Sequence, residues 1–239
     1  MEIYVVQQND TIDRIAGLYG VSLEQVSYAN QILYPYRLAV GQSLLIPAGE
    51  NTEDRRVVAA SGYAYPFISP WVLQQTLPYL TKLLVFSYGF TPEGELIPPL
   101  LADEWMVEEA IRNQTLPILT LTPFGEDGRF NNNLIHLLVT NDEVKERLIQ
   151  NLLTAMEEQS FQGVDVDFEY ILAEDRDLFT AFVAELRERM NQAGYRVSVA
   201  LAPKTSADQK GLLYEGKDYR GLGEAADEVL LMAYEWGYT

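Results

Sequence analysis

The sequence contains no cysteine and only one histidine, His136. Without cysteine the chain has no disulfide, no thiolate nucleophile and no zinc site built from thiolates. A single histidine argues against a histidine-based catalytic triad and excludes a metal site made of several histidines. If the chain is an enzyme, carboxylates are therefore the obvious acid–base groups. The sequence predicts no metal and no cofactor.

Positive charge is also scarce, because 17 Lys and Arg residues stand against 35 Asp and Glu, for a formal net charge of -18. Nucleic acids and anionic membranes both bind through lysine and arginine, so neither is an expected partner. No apolar run approaches the ~18 residues of a membrane span. The segment after Met1 lacks the basic and apolar stretches of a signal peptide, so export by the usual route is not predicted. A neutral polymer such as a glycan suits this composition better.

Residues 1–48 have the pattern of a small βααβ unit. Apolar residues in its two helical segments are spaced to bury one face of each helix. Polar capping residues precede both segments, and Gly20 is expected to end the first in a left-handed conformation. The predicted elements are a strand at 3–6, a helix capped by Asp10 or Thr11, a helix capped by Ser22 and closed by Asn30, and a returning strand within 38–47.

This unit resembles the LysM domain, and the resemblance covers the whole segment. The matching features are Tyr4-Val5-Val6, Asp10-Thr11, Ile15-Ala16, Tyr19-Gly20-Val21, Leu23, Asn30 and the stretch Leu38-x-Val40-Gly41-Gln42-x-Leu44-x-Ile46-Pro47. The resemblance implies binding of N-acetylglucosamine units in chitin or peptidoglycan, while most of the apolar residues build the fold. The implied sugar-binding residues are Asp10, Thr11, Asn30 and Ile32.

The polar stretch 49–56 predicts a linker, and residues 57–239 form the larger predicted domain. Within it, apolar strand-like runs alternate with amphipathic helical segments, which predicts a parallel sheet with right-handed crossovers. Six strands are predicted, at 57–64, 82–88, 116–122, 163–168, 196–202 and 228–234. Helices are predicted at 71–80, 104–113, 142–159, 174–193 and 219–226.

The stretch 163–170 carries the residues best suited to chemistry. Side chains alternate between the two faces of a strand, so Asp165, Asp167 and Glu169 share one face. Their mutual repulsion and partial burial should raise the pKa of at least one of them. A carboxylic acid with a raised pKa stays protonated near neutral pH and can donate a proton. Two alternatives stay open, a solvated edge strand with unrelated acids and a Ca²⁺ or Mg²⁺ site.

The same residues resemble the signature of glycoside hydrolase family 18, D-G-x-D-x-D-x-E at the end of the fourth strand of a (β/α)8 barrel, with Gln162 in place of the first Asp. The stretch 231–236 resembles the family's Met-x-Tyr-Asp element, with Glu in place of Asp. The resemblance implies that the catalytic residues are Asp165, Asp167, Glu169 and Tyr234. It implies that the substrate-binding residues are Tyr63, Met232, Glu235 and Trp236.

The mechanism implied by the resemblance is substrate-assisted retention, without an enzymic nucleophile. Glu169 would protonate the leaving glycosidic oxygen and later activate water. The substrate's own 2-acetamido oxygen would attack the anomeric carbon, while Asp167 orients the acetamido group and stabilises the oxazolinium ion. Asp165 would share a proton with Asp167, and Tyr234 would hydrogen-bond the acetamido group.

The combination of domains resembles the spore-cortex glycosidases of spore-forming bacteria. That resemblance implies cleavage of β-1,4 bonds after N-acetylglucosamine in peptidoglycan, and a place in the spore cortex, the coat or the cell wall after a start in the cytoplasm. A chitinase acting on chitin and a non-catalytic, lectin-like binding protein are the alternatives. Six βα units are fewer than the eight of a complete barrel. An incomplete barrel is therefore expected, with open strand edges that favour aggregation or inactivity of the chain alone.

Overall fold

The computed structural model describes residues 2–47, 58–125 and 128–233. The chain divides into two compact units, Met1–Val58 and Ala59–Thr239. The linker predicted at 49–56 lies outside the described residues, so the domain boundaries at 48 and 57 stay predictions.

The small unit has the predicted order of strand, helix, helix and strand. Its two strands pair antiparallel, with Glu2 opposite Ile46 and Val5 opposite Ser43. A buried apolar cluster of Val6, Ile12, Ile15, Ala16, Val26, Leu44 and Ile46 fills the space between helices and sheet. The elements are β1 (Glu2–Val5), α1 (Ile12–Tyr19), α2 (Leu23–Ala29) and β2 (Ser43–Ile46).

Local capping explains where these two helices begin and end. The Thr11 side chain accepts a hydrogen bond from the Arg14 amide, so Thr11 is the N-cap of α1. Gly20 ends α1 with a φ of 66°, a left-handed conformation that glycine adopts without steric cost. Ser22 and Gln25 form a reciprocal capping box at the start of α2.

The large unit is built on a parallel sheet of six strands in the order β3-β4-β6-β7-β8-β9, with the short β5 pairing antiparallel with β4. Its strands are β3 (Ser61–Ala64), β4 (Lys82–Phe90), β5 (Leu96–Ile97), β6 (Leu116–Leu121), β7 (Gly163–Val166), β8 (Arg196–Leu201) and β9 (Glu228–Leu231). Its helices are α3 (Pro70–Thr76), α4 (Glu104–Arg112), α5 (Asn132–Thr140), α6 (Asp142–Gln159), α7 (Arg176–Gln192) and α8 (Tyr219–Ala225).

Neighbouring parallel strands are joined by helical crossovers, as in a (β/α)8 barrel of which six strands are described. The sheet is strongly curved. The curvature is evident from the ion pair that Lys82 on the second strand forms with Glu228 on the sixth. The six-stranded parallel fold predicted from the sequence is confirmed. Within the described residues, no helix is long and apolar enough to cross a membrane.

The outer face of the sheet and the helices share one large apolar core. Phe168, just past β7, shows how the layers join: its ring lies 5.8 Å from that of Phe90, 5.8 Å from Phe179 and 6.2 Å from Phe182. Phe168 is fully buried, and burying such a side chain contributes roughly 1.5–3 kcal/mol. This packing fixes the segment that leads out of β7 toward Glu169.

The main differences between the observed and the predicted elements are three strand ends and two elements that were not predicted. Strand β7 ends at Val166 and β9 at Leu231, earlier than the predicted 168 and 234, so Phe168 is not a strand residue. Helix α5 was not predicted, because its Asn-rich start has the composition of a loop. In the structure the Asn131 side chain caps the first turn of this helix. The two-residue β5 was not predicted either, since so short a strand has no periodicity to detect. Strand β3 begins at Ser61, later than the predicted 57.

Candidate active site

The concave face of the sheet carries a row of polar side chains centred on Asp165. In the strand register Asp165 lies beside Thr120 of β6 and Ser198 of β8. The Tyr63 hydroxyl of β3 donates to Asp165 Oδ2 at 2.7 Å, and the Ser198 hydroxyl donates to Asp165 Oδ1. Asp165 is fully buried. Burial raises its pKa above the usual range, while the hydrogen bonds from Ser198 and Tyr63 act in the opposite direction.

Asp167 lies two residues further along the same face. It is 5% exposed, and its Oδ1 is a buried oxygen without a hydrogen-bond partner among the described residues. Its backbone N–H donates to the Leu121 carbonyl and continues the alignment with β6 past the end of β7. Burial first, and then the negative charges of Asp165 and Glu169, raise the pKa of Asp167 to about 7. The rise in pKa predicted from the sequence for at least one of these acids is therefore found at both Asp165 and Asp167.

Glu169 follows at the opening of this face. It is half-buried, whereas Asp165 and Asp167 are buried, so the three carboxyl groups form a gradient from the sheet interior toward solvent. An open carboxyl group beside a buried one that titrates near neutrality can exchange protons with a ligand. Gln162, the departure from the family signature, is exposed at the other end of β7 and lies away from these carboxylates.

The alternatives left open by the sequence can be compared with this geometry. Buried Asp165 and Asp167 are not the acids of a solvated edge strand, and β7 has a neighbour on each side. Across residues 2–47, 58–125 and 128–233, no group of three or more His, Cys, Asp or Glu side chains has the arrangement to hold a metal ion.

An aromatic groove, defined by Tyr65, Phe67, Phe86 and Phe124, opens among residues of β4 and of the segments that follow β3 and β6. The cavity has a volume of about 480 Å³. Tyr65 stacks on Phe67 with ring centroids 4.9 Å apart, and Phe86 contacts Tyr65, Phe124 and Tyr63 at 4.9, 6.3 and 6.1 Å. Phe86 thus connects the aromatic groove to Tyr63, the residue that holds Asp165.

The other predicted substrate residues lie past β9. Met232 is buried, and its backbone N–H donates to the Leu201 carbonyl, so it continues the sheet beyond β9. Tyr234, Glu235 and Trp236 lie outside the described residues, and their roles stay predictions.

Two residues of the site, Ser198 and Lys217, were not predicted from the sequence. Ser198 had a detectable signal, because it is a polar residue alternating with Val197 and Val199 on a buried strand. Lys217 had none, because it lies in the loop between β8 and α8. Lys217 is fully buried, and its charge acts on both Asp167 and Glu169.

Three of the four LysM residues expected to bind sugar have structural bonds, and the fourth packs on the core. Asp10 accepts from the Tyr4 hydroxyl and the Gln7 amide, each at 2.7 Å. Asn30 joins α2 to β2: its amide donates to the Val26 and Leu45 carbonyls, and its oxygen accepts from the Leu45 N–H. Thr11 caps α1, and Ile32 packs against the apolar cluster. Sugar binding by these residues stays a prediction.

Comparison with known proteins agrees with the geometry. Residues 120–238 match the family model for glycosyl hydrolases family 18, and residues 4–47 match that for the LysM domain. Over its whole length the chain is 30% identical to the cortical fragment-lytic enzyme of Bacillus subtilis (strain 168), of which it covers 67%. The chain belongs to glycosyl hydrolase family 18.

Solved structures give the same assignment. The family 18 chain is similar to the spore cortex-lytic enzyme SleL of Bacillus cereus, with a TM-score of 0.72, 30% identity and coverage of 99% of this chain. The Bacillus megaterium QM B1551 SleL structure gives a TM-score of 0.71, 30% identity and coverage of 99% of this chain. A chitinase from Chromobacterium violaceum ATCC 12472 shares the fold, with a TM-score of 0.68, 20% identity and coverage of 76% of this chain and 57% of that one. This chain spans about half the length of the SleL structures, 54% and 55% respectively.

Proposed function

We propose that the protein containing this family 18 chain hydrolyses β-1,4 bonds after N-acetylglucosamine in peptidoglycan by substrate-assisted retention. The observation that carries the proposal is the row of Asp165, Asp167 and Glu169, which passes from buried to open along one face of the sheet. Relatives at 30% identity are named for lysis of the spore cortex or its fragments, which supports peptidoglycan as the polymer.

Glu169 is the proposed general acid and base. It is the most open of the three carboxyl groups, so it can reach a glycosidic oxygen bound at the mouth of the site. Glu169 protonates the leaving oxygen in the first step. In the second step it removes a proton from the water that opens the oxazolinium ion.

Asp167 is the proposed partner of the substrate's acetamido group. With a pKa of about 7 it holds a proton part of the time at neutral pH. Its Oδ1 has no partner among the described residues and can accept from the acetamido N–H. As the acetamido oxygen attacks the anomeric carbon, positive charge develops on the oxazolinium ring, and an ionised Asp167 stabilises it.

Asp165 and Tyr63 act on Asp167 in this scheme. The charge of Asp165 is one cause of the raised pKa of Asp167, consistent with a proton shared between the two. Tyr63 also donates its hydroxyl to Asp165, and its role in binding substrate stays a prediction.

The aromatic groove is the proposed binding place for sugar rings next to the cleaved bond. Sugar rings present apolar C–H faces that pack well on aromatic side chains. Tyr65 and Phe67 are 48% and 72% exposed, so their rings are available to such a ligand. The LysM unit is proposed to bind the same polymer and to keep the protein at the spore cortex or cell wall.

A chitinase is the second candidate function, because chitinases share the fold. The test is digestion of spore-cortex peptidoglycan and of chitin by the whole protein, with products identified by mass spectrometry. Muropeptides from cortex should appear faster than chitobiose from chitin. Comparable or faster release of chitobiose would make chitin the substrate.

A lectin-like protein without turnover is the alternative of another class. The candidate acid–base residue Glu169 is present, which favours an enzyme. Glu169→Gln should lower turnover by ~10²–10⁴ or more, the contribution of one acid–base group, and leave retention on insoluble peptidoglycan intact. Glu174→Gln, at an exposed carboxylate nearby, is the matched control. Equal turnover in both variants would remove the assignment of Glu169.

A further inference from the structure

Lys217 is an unusual feature of the loop between β8 and α8. Its side chain is fully buried, although lysine is rarely buried unless it is paired. The neighbouring Gly216 packs directly on the segment that carries Glu169: a Cβ on Gly216 would lie 2.1 Å from the Ile171 carbonyl oxygen. The fold therefore presses this loop against the exit of β7.

The contacts of Lys217 do not account for its burial. The hydrogen bond found for its Nζ is to the Ala200 carbonyl oxygen at 3.5 Å, the long limit for such a bond. Burying an ammonium group is unfavourable unless charges of opposite sign lie near enough to offset the loss of water. Burial lowers the pKa of Lys217 to about 8, while the charges of Asp167 and Glu169 favour its protonated form.

Among the described residues, the charged groups that act on Asp167 are Asp165, Glu169 and Lys217. Asp165 lies two residues before Asp167, Glu169 lies two residues after it, and Lys217 lies in the loop after β8. Among these three, Lys217 is the cation. A second cation, Lys82, acts on Asp165, but it is already paired with Glu228.

We propose that Lys217 is a positioning residue of the candidate active site, whose buried ammonium group offsets the charge of Asp167 and Glu169 so that Asp167 can ionise beside Asp165. This inference rests on the proposed function for its catalytic meaning, and on burial and charge for its physical basis. In the proposed mechanism Asp167 must carry negative charge when the oxazolinium ion forms. Without Lys217, Asp165 and Glu169 together would hold Asp167 in its neutral form.

The expected consequence has a definite sign. A nearby cation lowers the pKa of a carboxyl group, so replacing Lys217 with neutral methionine should raise the pKa of Asp167. In the profile of kcat/KM against pH, the limb that follows the ionisation of Asp167 should therefore move to higher pH. A purely structural role would lower activity without moving the profile.

The test is a titration of the whole protein that contains this chain, labelled with ¹³C at the aspartate carboxyl groups and followed by NMR. The midpoint of Asp167, assigned by its loss in Asp167→Asn, should rise by about one pH unit or more in Lys217→Met. Lys204→Met removes a half-buried lysine of the same loop that does not act on Asp167, and should leave the midpoint in place. An unchanged midpoint in a folded Lys217→Met variant would overturn the inference.

A reciprocal measurement covers the case in which Lys217→Met does not fold. Coupling between two sites is symmetric, so removing the carboxylate in Asp167→Asn should lower the midpoint of Lys217, followed by NMR of ¹⁵N-labelled lysine. An unchanged Lys217 midpoint would likewise overturn the inference. Neither titration requires turnover. If Lys217 and Asp167 proved to be coupled in a protein that digests no glycan, the proposed function would be contradicted. The electrostatic effect of Lys217 on Asp167 would still stand.

Discussion

The Tyr63 hydroxyl donates to Asp165 Oδ2 at 2.7 Å, joining residues 102 positions apart in the sequence. The bond links β3, at one end of the sheet order, to β7 near its middle, across the concave face. Because Tyr63 also contacts Phe86 of the aromatic groove, one side chain connects the proposed sugar-binding surface to the buried carboxylates. The curvature of the sheet thus contributes directly to the site.

Tyr63→Phe should lower kcat of the whole protein on peptidoglycan by about 10–100-fold. The change keeps the ring and removes one hydrogen bond to a charged group, which typically contributes ~1.5–3 kcal/mol. Since that bond lowers the pKa of Asp165, its loss should also move Asp165 further toward its neutral form. Tyr65→Phe, which alters a hydroxyl on the exposed neighbouring ring, should change kcat little. Equal losses in the two variants would show that the Asp165 contact is unimportant.

The raised pKa of Asp167 predicts how stability varies with pH. Between its usual pKa of 3.8 and about 7, the folded chain keeps a proton on Asp167 that the unfolded chain has released. The free energy of unfolding should therefore fall as pH rises through this window, by roughly 4 kcal/mol if the full shift applies. Asp167→Asn cannot lose that proton and should lack this part of the slope.

Urea unfolding of the wild-type chain and Asp167→Asn at several pH values measures this difference. Carboxylates that do not act on Asp167 contribute equally to both proteins, so the comparison isolates Asp167 and the groups coupled to it. The stability of Asp167→Asn relative to wild type should increase from pH 4 to pH 7. A constant difference across that window would show that Asp167 titrates in its ordinary range.

The sequence predicted the framework of this site because its signals are local. Alternation along 163–169 places Asp165, Asp167 and Glu169 on one face, and the apolar runs predict the parallel strands that support them. Those strands were found in the predicted order, with ends that moved by a few residues.

Alternation marks Ser198 as a polar residue on a buried strand. The contacts of Tyr63, Ser198 and Lys217 with these carboxylates could not be predicted, because these residues come from distant parts of the chain. Tyr63 and Ser198 meet Asp165 only after the sheet has formed and curved, and Lys217 reaches the site from an irregular loop. No local pattern marks a loop lysine as buried. Helix α5 was missed for a different reason, since its asparagine cap resembles a loop composition.

The LysM unit should fold alone, because it has its own apolar cluster and capping bonds. In a fragment of residues 1–58, Asn30→Ala should lower the free energy of unfolding by about 2–3 kcal/mol, since it leaves the Leu45 amide and carbonyl without their partner. Gln8→Ala, at an exposed turn residue, should have little effect. Thermal unfolding by circular dichroism measures both. A fragment without a cooperative transition would show that the unit depends on the rest of the chain.

The same fragment tests glycan binding by the LysM unit. It should sediment with insoluble peptidoglycan, and Gln8→Ala serves as the folded control. A folded fragment that stays in the supernatant with both peptidoglycan and chitin would leave the unit with a structural role only.

Two glycines near α8 provide a matched pair for the loop that holds Lys217. A methyl group on Gly216 would lie 2.1 Å from the Ile171 carbonyl oxygen, whereas one on Gly223 has nothing within 4 Å. Gly216→Ala must therefore separate the Lys217 loop from the segment after Glu169, and should destabilise the chain by about 1–3 kcal/mol, as overpacking does. Gly223→Ala lies in an exposed helical position and should stabilise by ~0.5–1 kcal/mol, because alanine favours the helix. Urea unfolding distinguishes the two, and opposite signs are the expected result. The same small effect in both variants would contradict the close approach between the Lys217 loop and the segment after Glu169. It would also contradict the burial of Lys217 beside Asp167.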